Sequence, residues 1–163
     1  MAVELIKIPK KILRMSSQDC DLSDVEDLKR LERRIKDVMQ KNPRCQGLSA
    51  VQVGERKRMF VTRKKGRERT FVNPTVKWQF LMYNSAEMCA SCNDWWVVKR
   101  PRIIKVEYYD VAAVKHTRIF FGKRARVFMH EIDHFEGKML CDIGTKWYGS
   151  ELYERIRGKI YAR

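Results

Sequence analysis

The stretch KRARVFMHEIDHFEG, residues 123–137, decides the fold of this protein. It predicts a helix from Lys123 to Phe135, and a glycine just beyond, Gly137, is typical of a helix C-cap. Residues 117–121 before it predict a strand that Gly122 closes. The helix therefore follows directly on a sheet.

This helix carries a recognisable H-E-x-x-H sequence. His130 and His134 are four residues apart, so they share one helix face with β-carbons roughly 5–6 Å apart. The two imidazoles can hold one metal ion. Glu131, next to the first histidine, can reach the open side of that ion, as the general base does in zinc proteases.

Helices are also predicted at the two ends of the chain. Apolar residues recur at three- and four-residue steps over residues 25–38, which is typical of an amphipathic helix. Ser23 with Glu26 predicts a capping box at its start, and Pro43 predicts its end. Residues 150–163 predict a basic C-terminal helix.

The middle of the chain predicts strands. Residues 59–62 and 70–72 flank a basic, glycine-containing turn and predict a hairpin. Residues 104–108 alternate apolar and polar side chains, and residues 117–121 predict a partner strand. Strands in the middle with helices before and after favour an α+β fold.

Length and composition restrict the class of protein further. The chain has 163 residues, with 35 Lys and Arg against 20 Asp and Glu, and a formal net charge of +15. The length predicts a single domain over residues 1–163. We expect a cytoplasmic protein without a membrane partner, because no stretch approaches ~18 uncharged apolar residues and no signal peptide is recognisable. The positive charge favours a polyanion partner or simply high solubility.

A hydrolytic metal site needs a third protein ligand and an open position. No histidine follows His134, whereas Cys89 and Cys92 lie upstream. Either both cysteines complete a closed Cys2His2 site, or one cysteine joins and a water takes the fourth place. The long spacing from Cys92 to His130, and a glutamate with no function in a closed site, favour the open site.

Three ordered motifs resemble those of peptide deformylases. GLSAVQVG (47–54), EMCAS (87–91) and HEIDHFEG (130–137) are similar to the family's G-x-G-x-A-A-x-Q, E-G-C-L-S and H-E-x-D-H. The opening segment at residues 8–14 and a V-x-R-P-x-x-I-x-V-x-Y-x-D run over residues 98–110 agree as well. The resemblance covers nearly the whole chain.

The resemblance implies a fold of antiparallel β-sheets packed around a central helix that carries H-E-x-x-H. It also implies a metal held by Cys89, His130 and His134, natively Fe(II), which Zn, Ni or Co can replace. Gln52 and the backbone N–H of Ala90 would bind the oxyanion. The implied substrate-binding residues are Gly47, Glu87, Cys89, Ala90 and Val127.

The implied reaction removes the formyl group from formylmethionyl nascent polypeptides and releases formate. A metal lowers the pKa of bound water to about 7, so hydroxide is available to attack the formyl carbon. Glu131 acts as general base and then as general acid toward the departing amine. Glu87 and Arg100 occupy positions that pair in the family and would brace the Cys89 loop.

Each motif also departs from the family pattern. Cys45 stands at the first motif's first glycine, and Ser49 at one of its alanines. Met88 and Ala90 replace the glycine and leucine of the second motif. These changes fall where the substrate should lie, so we expect them to affect substrate preference more than metal binding.

Two other classes of protein remain as alternatives. One is an H-E-x-x-H endopeptidase, which the missing downstream ligand disfavours. The other is a basic nucleic-acid-binding module stabilised by a structural Cys2His2 zinc site. For a deformylase, the partners are formylated nascent peptides and, through the basic surface, the ribosome; specific DNA binding is not expected.

Overall fold

A computed structural model of the chain describes residues 4–149. Its regular elements comprise three α-helices, two short 3-10 helices (Lys11–Arg14 and Ala50–Val53) and six strands. The α-helices are α1 (Val25–Lys41), α2 (Lys123–Phe135) and α3 (Leu140–Ile143). The strands are β1 (Gly47–Ser49), β2 (Met59–Lys64), β3 (Arg67–Cys89), β4 (Cys92–Tyr109), β5 (Lys115–Phe121) and β6 (Thr145–Lys146).

Across the described residues the strands form one antiparallel sheet. Its order is β1-β2-β3-β4-β5, and β6 pairs with β4 beside β5. The expectation of several sheets is therefore corrected. β3 and β4 continue as one long hairpin whose register shifts near residues 72–78, and such bulges bend a sheet without dividing it.

The β2–β3 hairpin turns on two residues. Lys64 pairs with Arg67 across the strands, and Lys65 and Gly66 between them both have positive φ, 50° and 74°. This is the geometry that a two-residue hairpin turn of right-handed strands requires. The predicted seven-residue turn is therefore much shorter, because the strands extend to the tip.

Two apolar clusters cover opposite faces of β2. Met59 and Val61 pack with α1, whereas Phe60 packs with Phe128 and other aromatic residues under α2. Successive side chains of a strand point to opposite faces, so a single strand holds both helices. The sheet thereby holds α2, which carries the H-E-x-x-H motif, in place.

Most predicted elements are confirmed. α2 has the predicted bounds, and β5 pairs with residues 103–109 of β4 as expected. The predicted capping box at Ser23 is wrong, because Asp24 is the N-cap and its carboxylate accepts from the Asp27 N–H at 2.9 Å.

The predicted helix at 150–163 lies outside the described residues. Within residues 4–149 no helix is long and apolar enough to cross a bilayer.

Candidate metal centre

Three potential ligands from two distant parts of the chain converge. The ligand atoms of Cys89, His130 and His134 all lie within 4.8 Å of one another. The Cys89 Sγ is 3.3 Å from His134 Nε2, and the two imidazole ring centroids are 5.2 Å apart. The helical spacing predicted from sequence therefore places both rings on one face, and the end of β3 adds the sulfur.

Cys92 does not join this cluster. It pairs with Cys89 across the β3–β4 turn, is buried, and packs in the same apolar cluster, yet the only metal-capable cluster among residues 4–149 excludes it. In an antiparallel hairpin, opposed side chains share one face of the ribbon, so a common face alone does not make Cys92 a ligand. The closed Cys2His2 alternative loses its fourth ligand.

The surroundings favour an ionised sulfur. Burial opposes ionisation of Cys89, but His134 and His130 beside it lower the pKa of the thiol well below its ordinary value. A thiolate is the form that binds metals. This cluster is therefore set up electrostatically as a ligand set.

A buried ion-pair network supports His130 from behind. Its Nδ1 lies 3.1 Å from Glu87 Oε2. Arg100 donates to both Glu87 oxygens at 3.0 and 3.1 Å and lies 2.6 Å from Asp133 Oδ2. The predicted pairing of Glu87 with Arg100 is confirmed, and Asp133 joins it. A carboxylate on the far nitrogen fixes the tautomer and orientation of a ligating histidine.

The Glu131 side chain is almost fully buried. Ser49 Oγ donates a hydrogen bond to its Oε2 at 2.6 Å. Burial raises the pKa of the Glu131 carboxyl. A methyl group on Gly47 would overlap Glu131 Oε1 and lie 3.0 Å from Val127 Cγ1. Glycine at position 47 therefore leaves the room that the carboxylate occupies.

Gln52 lies beside the sulfur ligand. Its Oε1 accepts from the Ser49 N–H at 2.9 Å, and its Nε2 donates to Ser91 Oγ at 2.9 Å and to Cys89 Sγ at 3.6 Å. Ser91 Oγ in turn donates to the carbonyl of Ile6 at 2.6 Å. The amide is thus fixed with one donor directed at the metal-binding sulfur.

An open cavity of about 470 Å³ adjoins the cluster; we call it the site cavity. This volume is in the range of small-molecule sites. Four of the five residues predicted to bind substrate line it, as do Gln52 and His130. The four are Gly47, Glu87, Ala90 and Val127; Cys89 is not among its lining residues.

Three of the departures from the family pattern, Cys45, Met88 and Ala90, line this cavity. Cys45 donates its thiol to the carbonyl of Gly47 at 2.7 Å, and burial raises its pKa to about 12, so it is protonated. Met88 lines the cavity with 47% of its surface exposed. Ser49 and Ser91 were not identified as functional from sequence, because a hydroxyl has no spacing signature until its partner is located.

Comparison with known proteins agrees with this geometry. A family model described as polypeptide deformylase matches residues 2–147. The peptide deformylase of Brucella suis biovar 1 is 33% identical over 145 residues, covering 85% of this chain and 82% of its own length. The chloroplastic peptide deformylase 1B of Solanum lycopersicum is 32% identical over 98% of this chain, which spans 58% of that relative.

A solved structure shares the fold over almost the whole chain. The peptide deformylase of Plasmodium falciparum superposes with a TM-score of 0.81 at 32% identity. The superposition covers 98% of this chain and 95% of that one. The superposed region therefore includes the sheet and both long helices.

Proposed function

We propose that this protein removes the formyl group from the N-terminal formylmethionine of new polypeptides and releases formate. The chain belongs to the peptide deformylase family, and this is the activity for which the family is named. The observation that carries this proposal is the convergence of Cys89, His130 and His134 beside the buried Glu131. A three-ligand set is typical of a catalytic metal site, whereas structural zinc sites use four protein ligands.

The donor set fits a divalent transition metal. Sulfur and imidazole nitrogen suit zinc, iron, nickel and cobalt. The Glu87 carboxylate occupies Nδ1 of His130, so Nε2 is the nitrogen left for the ion. We propose Fe(II) as the native metal, replaceable by Zn, Ni or Co. When bound, the ion would polarise the formyl carbonyl and acidify a water molecule.

Glu131 is the proposed acid–base catalyst. Its carboxylate takes a proton from the attacking water and later delivers it to the departing amine nitrogen, since an amide anion is a poor leaving group. The raised pKa supports this role, because it makes the carboxylate a stronger base and brings the pKa closer to the operating pH, where both the basic and the acidic form are accessible. The Ser49 hydroxyl holds one carboxylate oxygen in place.

The proposed oxyanion donors are the Gln52 side chain and the Ala90 backbone N–H. The Gln52 Nε2–H is directed at Cys89 Sγ, with an N···S distance of 3.6 Å. This hydrogen, beside the sulfur ligand, is the one proposed to serve a developing oxyanion. A single such donor typically contributes about 10²–10³ in rate.

The substrate is proposed to bind in the site cavity. It is lined by Gly47, Glu87, Ala90 and Val127. Cys89 does not line the cavity and acts on the substrate through the metal ion that it is proposed to bind. The exposed Met88 offers apolar surface at the position where the family pattern has glycine. We therefore expect substrate preference in this chain to depend on Met88.

Several broader assignments belong to the same proposal. Residues 1–163 form one catalytic domain, and the curled sheet encloses α2 as its central helix; contacts of α2 with β1, β2, β4 and β5 support this arrangement. The partners are formylated nascent peptides and the ribosome, and the location is the cytoplasm.

The test is formate release from formyl-Met-Ala-Ser by anaerobically purified protein. Glu131→Gln should retain the metal and lose about 10²–10⁴ in kcat/KM, the usual contribution of acid–base catalysis. Glu136→Gln, at an exposed glutamate just after α2, is the matched control and should be unaffected. Near wild-type turnover by Glu131→Gln would refute the assigned role. Cleavage of internal peptide bonds in an unformylated protein would favour an endopeptidase instead.

A further inference from the structure

A second cavity, of about 870 Å³, lies between the β2–β3 hairpin and the start of α2; we call it the basic groove. Three aromatic lining residues, Phe71, Phe120 and Phe128, are buried, whereas Pro43 is exposed and Val127 is half-buried. The charged side chains that this groove offers to a partner are mostly positive.

The charges of the basic groove are almost all of one sign. Eight of its lining residues are Lys or Arg and one, Glu68, is acidic. Glu68 is already paired with Arg63 at 2.8 Å. The other seven cations form no ion pair with any residue in the 4–149 range, and all seven are exposed: Arg44, Lys64, Lys65, Arg67, Arg69, Lys123 and Arg124.

Two local arrangements in the groove are electrostatically unfavourable. Lys64 and Arg67 are directly opposed across the hairpin, and like charges in that position destabilise a strand pair. The first turn of α2 carries Lys123, Arg124 and Arg126 with no acidic residue and no side-chain cap, although helix N-termini favour negative charge. A bound polyanion would remove both costs.

We infer that the basic groove binds the phosphate backbone of RNA. A concave groove with buried apolar residues suits a rod-like polyanion better than a flat membrane. Seven unpaired cations match a chain with a charge on every repeat, whereas a peptide would need a run of acidic residues. None of the residues that line the groove is an exposed aromatic side chain available for base stacking, so recognition depends on phosphates and is insensitive to base sequence.

The groove adjoins the site cavity. Both are lined by residues 43–46 and by Val127. The preference for RNA over other polyanions rests on the proposed function, since formylated chains emerge from the ribosome, whose surface is RNA. RNA held in the groove would place the mouth of the site cavity close to the emerging peptide.

The experiment measures fluorescence anisotropy of a labelled RNA stem-loop titrated with the full chain. Binding should weaken by about 10³-fold between about 50 and 200 mM salt, as expected for six or more phosphate contacts. Combining Lys64→Gln, Lys65→Asn and Arg67→Gln should weaken it about 100-fold at about 0.1 M salt and lower the log–log salt slope by about 2 to 3. Asparagine is chosen at position 65 because it tolerates positive φ.

A triple variant with the same change in net charge is the control. Lys11→Gln, Lys99→Gln and Arg118→Gln remove three exposed cations outside the groove and should change RNA affinity less than about 3-fold, the small effect of distant charges screened by salt. Formate release from formyl-Met-Ala-Ser should be equal in all three proteins, so failure of the deformylase proposal is read separately. Equal loss of RNA binding in both variants, salt-independent binding, or stronger binding of a polyglutamate peptide than of the RNA would overturn the inference.

Discussion

Replacing Gly47 by alanine tests whether the position of the Glu131 carboxylate controls turnover. Gly47 has an ordinary negative φ, so alanine introduces no backbone strain. The added methyl group would overlap Glu131 Oε1 and lie 3.0 Å from both the Glu131 carboxyl carbon and Val127 Cγ1. The substitution therefore acts sterically, on the Glu131 carboxylate and on the neighbouring Val127 side chain.

The size of the effect follows from these distances. Favourable carbon contacts begin at about 3.5 Å, so the carboxyl carbon must retreat by at least about 0.5 Å. That movement stretches the 2.6 Å hydrogen bond from Ser49. A misplacement of about 1 Å can lower a rate about 10²-fold, so we expect kcat/KM to fall by about 10- to 100-fold. Overpacking of a buried site should cost about 1–3 kcal/mol of the free energy of unfolding.

The assay is formate release under anaerobic conditions, with metal content and urea unfolding measured on the same preparations. Repeating Gly47→Ala in the Glu131→Gln background provides the control. The loss of stability should persist there, because glutamine fills the same space, whereas the further loss of kcat/KM should vanish. Wild-type kcat/KM in the single variant, or an equal loss of kcat/KM in both backgrounds, would refute the reasoning.

The remaining predictions concern the residues around Glu131 and the metal ligands. Ser49→Ala should lower the free energy of unfolding by about 1.5–3 kcal/mol, the range for a hydrogen bond to a charged group, and an unchanged urea midpoint would contradict this. Arg100→Gln leaves buried carboxylates without their cation and should cost about 3–5 kcal/mol in the same measurement; a cost below that of Ser49→Ala would argue against the network. Cys89→Ser should lose the ion during dialysis, as measured by elemental analysis, whereas Cys92→Ser should keep it; equal loss would restore Cys92 as a ligand.

Local patterns and tertiary contacts contributed to different parts of the fold. The bounds of α2 were predictable because Gly122 precedes the helix, Gly137 follows shortly after it, and the apolar residues between them follow the helical period. The full length of β3 was not predictable. Residues 77–82 of β3 are all exposed, so no alternation marks them and only pairing with β4 makes them a strand. The N-cap of α1 was misassigned because Ser23 and Asp24 are both good caps, and only the backbone path selects Asp24.

The sequence by itself determined the chemistry of the site. The four-residue spacing of His130 and His134 places two imidazoles on one helix face whatever surrounds the helix, because helix geometry is local. Only the tertiary structure decided which cysteine joins them and how the Glu131 carboxylate is held. Cys89 meets His134 across 45 residues and Ser49 meets Glu131 across 82. Strand register and sheet bending set such contacts, and no local periodicity encodes them.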